Sequence, residues 1–213
     1  MEHPLASPEA IVAIVDDDPS FREGVGSLIR AAGWKVEIFA SAEAFLARPR
    51  VDVPSCLLLD LQLPDLSGLD LQKRMAEVNL DVPIVFVTGH GDIPASVQAI
   101  KAGAVEFLTK PFDKQQLFRA IAEAMQRDRR IREEHAQSRE VWQHYNSLTP
   151  RERQVMRQVV SGLLNKQIAA ELNITEFTVK LHRGRVMRKM HAQSLADLVR
   201  MAEKLGISSG ESR

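Results

Sequence analysis

The run Cys56-Leu57-Leu58-Leu59 ends on Asp60. Four consecutive apolar residues without helical spacing, closed by an acid, fit a strand buried on both faces of a parallel sheet. Open α/β sheets bind their ligands beyond the carboxyl ends of their strands, so Asp60 is expected at the ligand edge. A second such run, Ile11-Val12-Ala13-Ile14-Val15, ends on Asp16 and Asp17. Phe86-Val87 leads to Thr88, and Phe107-Leu108-Thr109 leads to Lys110. Four strand ends are thereby expected to deliver three carboxylates, one hydroxyl and one ammonium to a single crevice.

Strand-like runs at 11–15, 35–39, 56–60, 83–87 and 105–108 alternate with amphipathic stretches such as Phe21 to Ala32 and Ala95 to Ala102. Gly33 and Gly103 follow two of those stretches, where helices commonly end. Five strands alternating with five helices predict right-handed crossovers and a doubly wound five-stranded parallel sheet over 9–126. The last of these helices starts near Lys114 and runs through Leu117, Ile121 and Met125. Residues 127–146 are charge-dense and lack Pro and Gly, which predicts a largely helical connector; its apolar positions do not hold a heptad. Val141, Trp142 and Tyr145 at its far end are expected to pack on one of the domains. A small all-α four-helix domain is expected over 147–207. There Thr149 caps a helix with Pro150 in its first turn and Glu152 at the capping-box position, and Gly162 ends it. Asn165 to Leu172, Thr175 to Met190 and Ser194 to Leu205 supply the other three helices.

A net charge of zero hides an asymmetry. Residues 147–213 carry 12 cationic and 6 acidic side chains, which leaves 16 and 22 for residues 1–146. A basic end on an acidic body points to a polyanion partner. No stretch reaches the roughly 18–20 apolar residues of a membrane span, so no membrane partner is expected. Met1 to Ala10 lacks the charge and apolar core of a signal peptide. The single Cys56 excludes an internal disulfide and is expected as a core thiol; a cytoplasmic location fits these features.

Three carboxylates held close repel one another and stay ionised when a cation sits among them. Oxygen ligands favour Mg²⁺, or Mn²⁺ in its place, which binds one or two carboxylates and a phosphoryl oxygen. Lys110 and Thr88 add a point charge and a hydroxyl donor suited to the equatorial oxygens of a phosphoryl group. The simplest chemistry is attack of Asp60 on phosphorus to form an acyl phosphate. The plain alternative is a set of solvated loop acids beside a salt-bridged lysine.

Val15-Asp16-Asp17-Asp18, Leu59-Asp60-Leu61-Gln62-Leu63-Pro64 with Gly68, Val87-Thr88-Gly89 and Lys110-Pro111-Phe112 agree in order and spacing with a known pattern. This region resembles the CheY-like, flavodoxin-like receiver domain of two-component response regulators. The resemblance implies that Asp60 is the phospho-acceptor. It implies that Asp16, Asp17, Asp60 and the backbone carbonyl of Gln62 surround the metal, with Thr88 and Lys110 on the phosphoryl group. Asp18 is not expected as a ligand. Phe107 falls at the family's switch aromatic, with core packing as its alternative reading. The Lys110-Pro111 bond is usually cis in the family.

Asn165 to Met190 reads as two helices joined by a tight turn at Leu172-Asn173-Ile174-Thr175, with Thr175 capping the second. That second helix holds Lys180, Arg183, Arg185, Arg188 and Lys189 against the single acid Glu176. Phe177, Leu181 and Met187 are its expected packing positions. A helix-turn-helix would present the N-terminal half of this helix to a major groove; a solvated basic surface is the alternative. The segment from Leu148 to Leu205, through Asn165-Lys166-Gln167-Ile168-Ala169 and Thr178-Val179-Lys180-Leu181-His182, resembles the LuxR-type DNA-binding domain. Receiver plus this effector is the layout of the NarL/FixJ family. By family position Lys180, Leu181 and Gly184 would face bases, while Lys166, Thr178, His182 and Arg185 would lie toward the backbone. Gly184 departs from members with a longer side chain there, which shifts base readout to Lys180 and Arg183.

The resemblance implies a transcription regulator that receives a phosphoryl group from a sensor histidine kinase, binds double-stranded DNA and forms a homodimer on phosphorylation, with RNA polymerase as a further partner. It would be no enzyme beyond its own aspartyl phosphorylation and dephosphorylation. A haloacid-dehalogenase-like phosphatase would place a second Asp two residues after the first, where this chain has Gln62. A constitutive DNA-binding protein with a vestigial receiver is the third reading.

Overall fold

The computed structural model describes residues 9–49, 51–89 and 93–207. Five strands, β1 (Ile11–Val15), β2 (Lys35–Phe39), β3 (Ser55–Asp60), β4 (Ile84–Thr88) and β5 (Glu106–Thr109), form one all-parallel sheet in the order β2-β1-β3-β4-β5. The helices between them are α1 (Pro19–Ala31), α2 (Ala42–Leu46), α3 (Gly68–Glu77) and α4 (Ile93–Lys101). The expected strands lie within a residue of those observed. Ser41 and Ser67 cap α2 and α3, each accepting a backbone N–H from the first turn. Gly33 closes α1 at φ +97°, a conformation that costs a residue with a Cβ.

β3 is central, so both of its faces are covered and all six residues are buried. Its side chains alternate between two cores. Cys56 and Leu58 join Val12, Ile14, Val85 and Val87 against Ile29 of α1 and residues Leu117 and Ile121. Leu57 and Leu59 join Ala13, Val15 and Phe86 against Phe45, Leu71, Met75 and Ala99 of α2, α3 and α4. Cys56 is a core thiol: burial, with the nearby charge of Asp128, pushes its pKa far up.

Lys114–Asn146 is one continuous helix, α5, and the chain's two compact units meet within it at 132/133. The first unit therefore extends six residues beyond 126, where the charged connector is expected to begin. The reason is a buried carboxylate. Asp128 accepts the Ser55 N–H at 3.0 Å and the Arg132 Nε at 2.6 Å, and Arg132 also reaches Asp52 at 2.9 Å. Charged residues expected in a helical connector thus fasten α5 to the start of β3.

The second unit contains α6 (Pro150–Val160), α7 (Asn165–Leu172), α8 (Glu176–Lys189) and α9 (Leu195–Lys204). Its core gathers Val155, Met156 and Val159 of α6, Ile168 of α7, Val179 and Val186 of α8, Leu198 of α9 and Val141 of α5. Val141 and Tyr145 pack as expected, but Trp142 is 46% exposed and touches Tyr145 edge-on. Helical geometry turns 141 and 145 to one side and 142 away from it. Two packing positions expected on α8 are also corrected. Phe177 and Leu181 are 77% and 46% exposed, and Val179 and Val186, one heptad apart, face the core instead.

The capping box on α6 forms as expected. Thr149 N–H donates to Glu152 at 2.8 Å, and Glu152 N–H donates to the Thr149 hydroxyl at 3.2 Å. Buried Glu152 also accepts Lys189 Nζ at 2.7 Å, and the same ammonium reaches the carbonyl of Ser147 at 3.1 Å. Burial works against ionisation of Glu152, yet the Lys189 ammonium and the amide and hydroxyl of Thr149 outweigh it and hold the carboxyl below its ordinary range. Its contribution is therefore present at pH values above the unfolded-state carboxyl value of about 4.3 and is lost as pH falls through the lower folded-state value. Glu152→Gln keeps the capping geometry and removes the charge facing Lys189. It is expected to cost about 1–2 kcal/mol at pH 7, with the difference from wild type fading in acid. Urea unfolding of the full chain, followed by Trp142 fluorescence in a Trp34→Phe background, measures both.

Candidate functional site

The sheet register sets the site. Val15 pairs with Leu59, Asp60 with Val87, and Thr88 with Thr109, so the next residues of β1 and β5, Asp16 and Lys110, leave the sheet at the same edge as Asp60 and Thr88. The backbone N–H of Lys110 donates to the Thr88 carbonyl at 2.7 Å and holds the β4 and β5 ends together. The Lys110-Pro111 bond is cis.

Oxygen atoms of Asp16, Asp17 and Asp60 all lie within 4.8 Å of one another. Asp16 and Asp60 are buried and Asp17 is exposed. Two carboxylates at that spacing repel by roughly 3 kcal/mol at an effective dielectric near 20. Lys110 answers this repulsion, with its Nζ 2.6 Å from Asp16 and 3.4 Å from Asp60. The ammonium also lies 3.6 Å from the centre of the Phe21 ring. Burial pushes the pKa of Asp60 up; the Gln62 amide and Lys110 pull it down, Asp16 pushes it up again, and the balance lies above the ordinary value. The donor set is all oxygen, with one carboxylate open to solvent, which fits a hard divalent cation that retains water.

A pocket of about 400 Å³ opens beside these groups, lined by Asp17, Asp60, Gln62, Thr88, Gly89 and Lys110, with Leu63 and Pro64 at its wall. The fold thus brings all five charged or hydroxyl residues singled out above to one place. Gln62 lines the pocket too, and its N–H donates to Asp60 at 3.2 Å. Asp18 is occupied elsewhere: its carboxylate caps α1 by accepting the Ser20 N–H at 2.9 Å. Phe107 is half-buried, with its ring 6.2 Å from that of Phe86. Sequence reasoning missed Phe21 and Arg22, the latter donating to the Asp16 carbonyl. Both belong to an amphipathic helix and carry no local signal of their place beside the crevice.

In the second unit, α7 and α8 are joined through Asn173, whose left-handed φ of +50° ends α7, and Thr175, which caps α8. Lys180, Leu181, Gly184 and Arg185 lie together on the exposed side of α8, and Lys166 is exposed at the start of α7. Thr178 is half-buried, its hydroxyl 2.8 Å from that of Thr175. His182 is half-buried, and its Nδ1 is shielded without a hydrogen-bond partner among the described residues. Arg183 is drawn away from this face and donates to Asn165 of α7 at 2.6 Å.

The profile of the response regulator receiver domain matches residues 12–122, and that of the bacterial regulatory proteins of the luxR family matches 146–202. Nodulation protein W of Bradyrhizobium diazoefficiens is 51% identical over 207 residues, 97% of this chain and 91% of that protein. The transcriptional regulatory protein FixJ of the same species is 40% identical over 92% of this chain and 96% of its own length. Among solved structures, the response regulator StyR is 46% identical and superposes with a TM-score of 0.79 over 92% of this chain and 99% of its own.

Gly68, the first residue of α3, lies against the crevice backbone, and its N–H donates to Leu61 at 2.9 Å. A Cβ there would overlap the carbonyl oxygen of Asp60 and lie 2.9 Å from the Phe86 ring, both in the packed interior. Gly68→Ala is expected to displace the Asp60 turn and cost about 1–3 kcal/mol, measured as a lowered urea midpoint of the first unit.

Proposed function

Since the chain belongs to the NarL/FixJ family of response regulators, a receiver domain followed by a LuxR-type DNA-binding domain, we propose that a phosphoryl group on Asp60 switches its binding to DNA. The observation that carries this reading is the convergence of Asp16, Asp17, Asp60, Thr88 and Lys110 at one sheet edge. A carboxylate oxygen of Asp60 attacks the phosphorus of a sensor kinase's phosphohistidine. The P–O bond forms as the P–N bond breaks, and the electron pair leaves on the imidazole. Thr88 donates its hydroxyl to the transferred group, and Lys110 turns its charge from the carboxylates toward the phosphoryl oxygens. Asp16, Asp17, Asp60 and the Gln62 carbonyl would hold Mg²⁺, which supplies charge to neutralise the phosphoryl oxygens. The chain performs no catalysis beyond this self-phosphorylation and its reversal. A phosphatase of haloacid-dehalogenase type is disfavoured by Gln62, which has no proton to shuttle where that chemistry needs an acid.

Among the described residues, α4 exposes an apolar stripe, Ile93, Val97 and Ile100, at helical spacing and beside β5. Movement of Thr88 and Phe107 on phosphorylation would repack this face, and burying the stripe against a second copy favours the dimer. Two copies then present two α8 helices to a two-fold site, and a cytoplasmic location would put the chain with its kinase, DNA and RNA polymerase.

Acetyl phosphate with Mg²⁺ is expected to label the wild-type chain stably, and neither Asp60→Asn nor wild type in excess EDTA is expected to take label. Rapid turnover would indicate a phosphatase, and absence of label would indicate a constitutive DNA-binding protein. The labelled chain is expected to sediment as a dimer at micromolar concentration; sedimentation unchanged from the unlabelled chain would remove the dimer from the reading. Lys166→Ala is expected to weaken specific and scrambled duplexes about equally and to flatten the salt slope by roughly one, whereas Lys180→Ala relaxes discrimination at one base position of each half-site. Titration of both variants across a salt series separates these effects.

A further inference from the structure

The exposed side of α8 is not uniformly basic. Phe177 and Leu181 lie one helical turn apart on it, and Gly184 continues the row, with open space where its Cβ would be. The core has no use for these side chains, because Val179 and Val186 fill the inward side of the same helix and Met190, which caps its end, joins them. The apolar row is bordered by exposed Lys180, Arg185 and Arg188. Glu176, the single acid of the helix, sits in its first turn, where the helix dipole favours it. An apolar strip inside a cationic border is complementary to a major groove, whose walls are phosphate and whose floor carries one apolar group, the thymine 5-methyl. A phenyl ring has no donor or acceptor with which to read any other base edge.

We propose that Phe177, supported by Leu181, reads thymine by packing against its 5-methyl group in the major groove, so that each half-site carries a thymine recognised through its methyl rather than its hydrogen-bonding edge. This rests on the DNA-binding reading above. It assigns base readout to a residue at the very start of α8, ahead of Lys180. The open space at Gly184 leaves room for the base-pair edge to approach the helix.

The test uses the full chain treated with acetyl phosphate and duplexes that it selects from a random pool. Each thymine of the selected half-site is replaced in turn by deoxyuridine, which removes only the methyl. Wild type is expected to lose about three- to five-fold in affinity at one or two positions, the worth of one methyl group withdrawn from water. Phe177→Ala is expected to bind the thymine and uracil duplexes equally at one of those positions, and Phe177→Leu to regain part of the difference. Indifference of wild type to every thymine-to-uracil change, or full methyl sensitivity in Phe177→Ala at every position, would overturn the assignment. Failure of wild type to select any duplex at low salt would overturn the DNA-binding reading along with it, whereas tight selection without methyl sensitivity overturns this inference alone.

Discussion

The contact of Lys110 with Asp16 and Asp60 governs the first unit. Two carboxylates at neighbouring strand ends, both buried, destabilise any fold that brings them together unless a cation answers them. One ammonium meets both, at 2.6 and 3.4 Å, and is itself backed by the Phe21 ring. The arrangement depends on distant parts of the chain, since residues 16, 60 and 110 meet only when β1, β3 and β5 share one sheet. The crevice is also incompletely neutralised. Among the described residues three acids face one lysine, which suits a site that takes up a divalent cation and a phosphoryl group.

The surroundings of the crevice are tightly filled. The backbone of Gly68 lies against Asp60, leaving no room for a Cβ between them. A small change in the position of Asp60 must therefore move α3 or the Phe86 ring, and Phe107 packs against Phe86. Close packing of this kind resists gradual deformation and favours discrete alternative arrangements, a property that a phosphorylation switch requires. Phe107 is half-buried and has contacts to exchange, which accommodates both a packing role and a switching one.

The second unit solves a different problem with few residues. Its α8 must bury one side to hold the domain together and keep the other free. Val179 and Val186 do the first, while Lys180, Arg185 and Arg188 remain in solvent. Arg183 points to Asn165 and ties α8 to α7, so cations of one helix divide between holding the turn and facing outward. Lys189 completes the division by pairing with buried Glu152.

The strand ends, the capping box at Thr149 and Glu152, the helix-turn-helix and the crevice residues were legible in the sequence, because each rests on a local signal: an apolar run closed by a polar residue, a cap at fixed spacing, or a charge excess. Asp128 and Arg132 were not legible. In sequence they are two charges in a charged stretch, and only the return of α5 past the start of β3 makes one of them a buried partner of Ser55. The directions of Phe177 and Trp142 differ from expectation for a related reason, and of the two places expected for Leu181 the exposed one holds. Apolar character suggests burial, but the angle about the helix axis relative to neighbouring helices decides it, and that angle belongs to the packed unit. The sequence by itself determined which side chains reach the ligand edge of the sheet and which helix carries the basic charge, since strand period and capping chemistry act over a few residues. The tertiary structure alone decided which charges pair, which apolar side chains stay in water and where the first unit ends, since those depend on contacts between residues far apart in the chain.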